Sequence, residues 1–379
     1  MKRKVALLGC SGAVGKSTLH VARHLKEDVE IVALAAKSNV DLVYAQALEF
    51  SPKLIALFDP SAALELQKRL PQIPILAGME GLEAVASYEG ANFAMLAITG
   101  NAALLPAVAA ISSGKMLGIA NKEALVSGGE WICSLAKKHG VELIPVDSEH
   151  SALHQCLRAG KKSEVRKLIL TASGGAFRNK SLEELKNVSL EEALTHPNWT
   201  MGPKVKVDCA TLMNKGLEMI EARFLFGLDP WQIDAVVHPE SLVQSMVEFV
   251  DGSLVAQIAN PDMALPIQYA LTFPERKPGT LSPFDFTRHP TFHFYPPDVK
   301  KFPCLQLAFS ALKEGRSYPC FLNAANEILV ERFMEKEIPF MAIPEKLEKL
   351  MTSHRSESVL TLEAILSIDS LARELARKI

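Results

Sequence analysis

The chain lacks an excess of either charge: 41 Lys and Arg stand against 43 Asp and Glu, a net charge of -2 over 379 residues. With a pI near 6.6, it offers no basic field for nucleic acid or for an anionic membrane surface. It also lacks any Cys-x-x-Cys pair. Its six cysteines (Cys10, Cys133, Cys156, Cys209, Cys304 and Cys320) are scattered, which argues against a disulfide framework or a structural zinc site and fits reduced, cytoplasmic thiols. A secretory leader is not expected, because the basic start is followed by only about five apolar residues before Gly9, too short for an apolar h-region. Long apolar runs are scarce too. Gly90 to Gly114 carries no charge for 25 residues, but Thr99-Gly100-Asn101 and Pro106 break it, so it reads as a buried strand, a turn and a helix rather than a membrane span. Internal repeats and low-complexity tracts are absent.

What remains is an ordinary globular composition, 48% hydrophobic and 22% charged, on a chain long enough for roughly two or three domains. The first part alternates short β-rich runs (5–9, 30–35, 54–58, 93–98, 116–120 and 141–145) with amphipathic stretches such as 19–25 and 62–70. That alternation predicts an α/β fold with a Rossmann-like doubly wound parallel sheet over residues 1–146. Residues 147–273 read as a central α+β catalytic domain, with strands at 167–172 and 253–259 and a helix at 215–226. Residues 274–303 are proline-rich and aperiodic, as expected of a surface linker. Residues 304–379 read as a C-terminal helical domain, with helices at 304–314, 323–336 and 362–378.

The segment "KVALLGCSGAVGKST" carries the marks of two phosphate-binding turns. A Walker A loop requires a glycine five positions before Gly15, and that position is Cys10. Gly9, Gly12 and Gly15 instead follow an apolar strand and open a helix, as in a dinucleotide turn whose helix N-terminus meets the pyrophosphate. After the second strand, "AAKSNV" presents Lys37, Ser38 and Asn39 where an NAD site carries an acid. A cation and hydroxyl there suit a 2′-phosphate, so NADPH is expected over NADH.

Four further stretches carry chemistry. In "PVDSEHSALHQC", Asp147 and Glu149 project to one side if the segment is extended; they read either as ligands for a hard divalent ion or as a solvated acid pair. His150 and His154 have helical zinc spacing but no third soft ligand nearby. "TASGGAF" ends a strand with Ser173-Gly174-Gly175, a phosphate-binding loop or a plain turn. "HPNWTMGPK", around a flap at 196–203, places His196, Trp199 and Met201 between prolines and Gly202, as in a water-excluding lid or around a structural tryptophan. In "VDCATLMNKGLE", Lys215 and Glu218 share a helical face beside Asn214, joining a phosphate to a metal or forming a plain ion pair.

Together with "ANKEAL", "PDMALPI" and "LNAANE", these stretches occur in the order found in the 1-deoxy-D-xylulose 5-phosphate reductoisomerase family, which the chain resembles over nearly its whole length. The resemblance implies an NADPH- and divalent-metal-dependent oxidoreductase of the non-mevalonate isoprenoid pathway, using Mg²⁺, Mn²⁺ or Co²⁺ and acting as a homodimer. Ser11, Gly12, Ala13, Val14, Lys37, Ser38, Asn39, Asn121, Glu123 and Gly202 would contact NADPH. Asp147, Glu149 and Glu218 would bind the metal. Lys122, Ser148, Glu149, Ser173, His196, Trp199, Met201, Cys209, Asn214, Lys215, Glu218 and Met263 would surround the sugar phosphate, with Lys122, Glu149 and His196 catalytic.

Two positions depart from the family pattern. Cys209 stands where serine is usual at a phosphate contact, and a thiol is the weaker donor. Ser11 replaces a threonine and keeps the hydroxyl. Rival readings are an NADP-dependent amino-acid semialdehyde dehydrogenase, which needs no divalent metal, a P-loop phosphotransferase, which Cys10 disfavours, and an NADPH-sensing module without catalysis.

Overall fold

A computed structural model of the chain describes residues 2–195 and 201–379. It divides into two compact units, the first built from Met1–Ala124, Ile132–Ser151 and Met263–Pro283, the second from Leu125–Trp131, Ala152–Asp262 and Phe284–Ile379.

The first unit holds seven strands, β1 (Arg3–Leu8), β2 (Val29–Ala36), β3 (Leu54–Leu57), β4 (Ile75–Ala77), β5 (Phe93–Leu96), β6 (Met116–Ile119) and β7 (Leu143–Pro145). All pair in parallel, in the order β4-β3-β2-β1-β5-β6-β7. Apolar runs such as Val5–Leu8 are fully buried, as a sheet covered on both faces requires. The order reverses between β1 and β5, which makes their carboxyl ends the switch point where doubly wound sheets bind ligands. The uncharged stretch resolves into β5, a short 3₁₀ turn (Asn101–Ala103) and the helix Leu104–Ser112. No helix among the described residues is long and apolar enough to cross a membrane.

The second unit holds a four-stranded mixed sheet of β8 (Val165–Ala172), β9 (Ile233–Val237), β10 (Val243–Phe249) and β11 (Leu254–Ile258), in the order β11-β10-β8-β9. Only β8 and β9 are parallel. Its helices include Pro203–Ala210, Met213–Phe226, Pro303–Glu314, Tyr318–Met334, Ala342–Ser353 and Leu362–Lys378.

Three features go beyond what the sequence reading showed. The segment after Asp147 is not extended: Ser148–Cys156 is a helix, the Asp147 carbonyl accepts its first backbone bond from Ser151, and Glu149 lies in its first turn. The compact units are each assembled from discontinuous segments of the chain. The helix Ala264–Thr272 is apolar nearly all round, and Ile267, Ala270 and Leu271 are buried with Leu19, Ala22, Ile144 and Val146 in the first unit's core. Conversely, Leu125–Trp131 belongs to the second unit, and the helix Lys122–His139 that contains it departs from helical geometry at Gly128. Finally, β9 and β10 went unread in the sequence, which showed only the strands flanking them in the chain.

Candidate active site

The glycine turn follows β1 directly. Gly9 has φ +92°, and a Cβ there would overlap the carbonyl of Ala97 at the end of β5, so only glycine lets the two strand ends meet at the switch point. At Gly15 a Cβ would strike the Gly9 carbonyl, so glycine is needed for the helix to close on the turn. Gly12 caps the helix Ala13–His24, whose first turn holds no acid. The free N–H groups at this end form a cradle for an anion. Lys37, Ser38 and Asn39 are exposed just beyond β2, and the Asn39 side chain caps the next helix, Val40–Phe50, by accepting from the Leu42 N–H at 3.1 Å.

A second cluster in the same unit gathers around Asp147. Asn121 donates to the carbonyls of Ile98 (2.8 Å) and Gly100 (3.0 Å) and accepts from the Ala124 N–H (2.7 Å), which fixes the start of the helix Lys122–His139. Lys122, the first residue of that helix, thereby reaches Asp147, its ammonium 2.7 Å from Oδ2. Burial works to raise the Asp147 carboxyl, yet Lys122 and the neighbouring His150 outweigh it and hold the group well below the usual carboxylate range. The Ser148 hydroxyl donates to Glu149 at 2.5 Å. His150 lies with Nδ1 3.7 Å from Asp147. Met263 precedes the helix Ala264–Thr272, and Glu123 is buried beside Lys122.

In the second unit a left-handed Leu212 (φ 60°) turns the chain from Pro203–Ala210 into Met213–Phe226. Immediately afterwards Asn214 donates to Glu218 Oε1 at 2.5 Å, and Lys215 donates to Glu218 Oε2. Asn214, Lys215 and Glu218 are all buried, so the carboxylate depends on these partners. The Ser173–Gly175 loop joins this corner. Gly175 (φ +69°) backs onto the Cys209 carbonyl, where a Cβ would collide, so glycine is needed for the loop to meet the helix that carries Cys209. Met201 and Gly202 lead into that helix. His196 and Trp199 lie outside the described residues.

A further network was missed in the sequence. Asp208, almost wholly buried, accepts from Asn326 at 2.8 Å and pairs with Lys204 at 2.9 Å. The available signal was the polar pair Asn323 and Asn326 set among the apolar Phe321, Leu322, Ala324 and Ala325 of the helix Tyr318–Met334.

The side chains of Asp147 and Glu149 in the first unit and of Glu218 in the second offer carboxylate oxygens, which suit a hard divalent cation rather than zinc. A dinucleotide cradle at a switch point, with such carboxylates in the same chain, defines the class as a Rossmann-type oxidoreductase that uses a metal. Three family models tile the sequence: 1-deoxy-D-xylulose 5-phosphate reductoisomerase over residues 5–129, its C-terminal domain over 143–226, and the DXP reductoisomerase C-terminal domain over 258–375. The chain belongs to the 1-deoxy-D-xylulose 5-phosphate reductoisomerase family. It is 53% identical to the enzyme of that name from Protochlamydia amoebophila over 99% of this chain and 98% of the relative. The reductoisomerase of Pelodictyon phaeoclathratiforme is 47% identical over 99% of both. Among solved structures, the Zymomonas mobilis reductoisomerase in complex with NADPH matches with TM-score 0.94 and 39% identity, covering 100% of this chain and 99% of that one. A DOX-P reductoisomerase bound to NADPH, fosmidomycin and magnesium matches with TM-score 0.93 and 40% identity, covering 99% and 98%.

Proposed function

We infer that this protein converts 1-deoxy-D-xylulose 5-phosphate to 2-C-methyl-D-erythritol 4-phosphate, by rearrangement and NADPH-dependent reduction with a divalent metal, in isoprenoid biosynthesis. Membership of the family along almost the entire chain carries this reading. The glycine cradle, together with Lys37 and Ser38 in place of an acid after β2, supports NADPH as the reductant. Ser11, Gly12, Ala13 and Val14 would meet the pyrophosphate, Lys37, Ser38 and Asn39 the 2′-phosphate, and Asn121, Glu123 and Gly202 the rest of the cofactor.

Asp147, Glu149 and Glu218 are the proposed metal ligands. When bound, the cation supplies Lewis-acid stabilisation of charge developing on the substrate's oxygens, and NADPH supplies the hydride. Lys122, held at a helix start and close to Asp147, adds positive charge at the reacting oxygens. Ser148 orients Glu149 through its hydroxyl. Ser173, Cys209, Asn214 and Lys215 hold the phosphate, and the buried Lys215 serves there as a fixed cation. His196, Trp199, Met201 and Met263 are assigned to enclosing the sugar and excluding water. The family's homodimer and a cytoplasmic location are carried over as part of this proposal.

The test is NADPH absorbance followed with the ketose phosphate, with and without a chelator. Oxidation should require the ketose phosphate together with Mg²⁺ or Mn²⁺. Chelator-resistant turnover of an amino-acid semialdehyde, with none on the ketose phosphate, would overturn the assignment.

A further inference from the structure

The peptide of Cys10, inside the glycine turn, is held from two directions. Its N–H, like that of Gly9, donates to the carbonyl of Ala35 in β2, at 2.9 and 2.8 Å. Its carbonyl accepts from Nε2 of Gln46 at 3.1 Å. Gln46 lies on the helix Val40–Phe50 and is only 4% exposed. Because Cys10 offers an acceptor, the Gln46 amide must turn its NH₂ toward the turn. Its Oε1 is thereby left buried with no hydrogen-bond partner among the described residues.

That orientation has an energetic cost. An unpaired buried acceptor costs about 1–3 kcal/mol, whereas an apolar side chain of similar shape has no polar atom to leave unpaired. The helix does not require the glutamine, since methionine propagates helix about as well. What the amide does achieve is a fixed Cys10 carbonyl, one residue before the N–H groups that face the cradle. The Cys10 side chain cannot do this work: its thiol is fully buried, and burial pushes its pKa up to about 12.

We propose that Gln46 is a positioning residue for the cofactor: its Nε2–H···O=C bond to Cys10 sets the glycine turn in its anion-binding geometry. This inference rests on the NADPH reading above and names a residue that the motif itself does not contain. Preorganised backbone donors bind an anion without further ordering, so a turn released at Cys10 loses affinity while the chemistry elsewhere is untouched.

The experiment compares Gln46→Met, which keeps the volume and removes the donor, with Gln46→Leu, which removes the donor with a second apolar shape. Both should raise the NADPH Kd, read by quenching of protein fluorescence, and the NADPH KM by about five- to twenty-fold. The kcat and the KM for the ketose phosphate should stay within about twofold, and Tm within a few degrees, because the substitution sits in one hydrogen bond. Wild-type protein that fails to bind NADPH would refute the functional reading. Wild-type protein that binds, alongside variants with unchanged Kd, would refute only the role of Gln46. A parallel loss of kcat, both KM values and Tm would also refute it, by reducing Gln46 to a packing residue.

Discussion

The glycine turn proposed for the cofactor at 9–15 and the charged corner proposed for the phosphate at 213–218 would hold anions by opposite means. The turn does it with backbone: none of its residues from Gly9 to Gly15 is ionised, and what matters is that two Cβ atoms are missing where strand and helix crowd together. The corner does it with charge: Lys215 and Glu218 are buried together, and neither can be left alone without a large desolvation penalty. A backbone cradle fails when an atom is added, whereas a buried ion pair fails when a charge is removed at constant volume. The two regions therefore predict separable kinetic signatures.

The largest effect should come from the carboxylates. Glu149→Gln and Glu218→Gln, each nearly isosteric, are expected to lower kcat by at least about a thousandfold through loss of metal. The NADPH Kd should stay within about twofold; a tenfold loss of NADPH affinity would erase the separation. Next, Lys215→Met strands the Glu218 carboxylate, so in chelator the protein should lose about 3–5 kcal/mol of stability. Adding Glu218→Gln should recover most of that loss in denaturant titration, and no recovery would show that the pair is not the seat of the cost.

A smaller effect is expected at the turn. Gly15→Ala places a methyl against the Gly9 carbonyl, so the NADPH KM should rise by about ten- to a hundredfold with kcat near normal. A fall in kcat with KM unchanged would contradict the backbone account. Smallest of all, Cys209→Ser restores a stronger donor beside the Ser173 loop, and should lower the KM for the sugar phosphate by about two- to fivefold. If KM rises instead, the thiol is filling space rather than weakening a phosphate contact.

Legibility in the sequence also divides along this line. The strands β1, β2 and β5 to β7 are short apolar runs bounded by turns, and their type follows from local pattern alone. By contrast, β4 has three residues and little burial, and β10 places Gln244 and Ser245 among its buried positions, so neither shows a clean run. The helix after Asp147 opens with a polar turn, Ser148-Glu149-His150, whose hydrophobic period emerges too late to register. Asn326 and Asp208 are 118 residues apart, and no local spacing announces their bond.

Sequence alone determined the alternation of strand and helix through most of the first unit, the dinucleotide rather than Walker character of the turn, and the absence of an acid after β2. Each of these depends on neighbours within a few residues, where backbone sterics and side-chain period act directly. The tertiary structure alone decided that Lys122 meets Asp147, that Gln46 holds the Cys10 carbonyl, and that the helix Ala264–Thr272 returns to the first unit's core. A buried charge or amide is tolerable only with a partner, and folding chooses that partner from the whole chain.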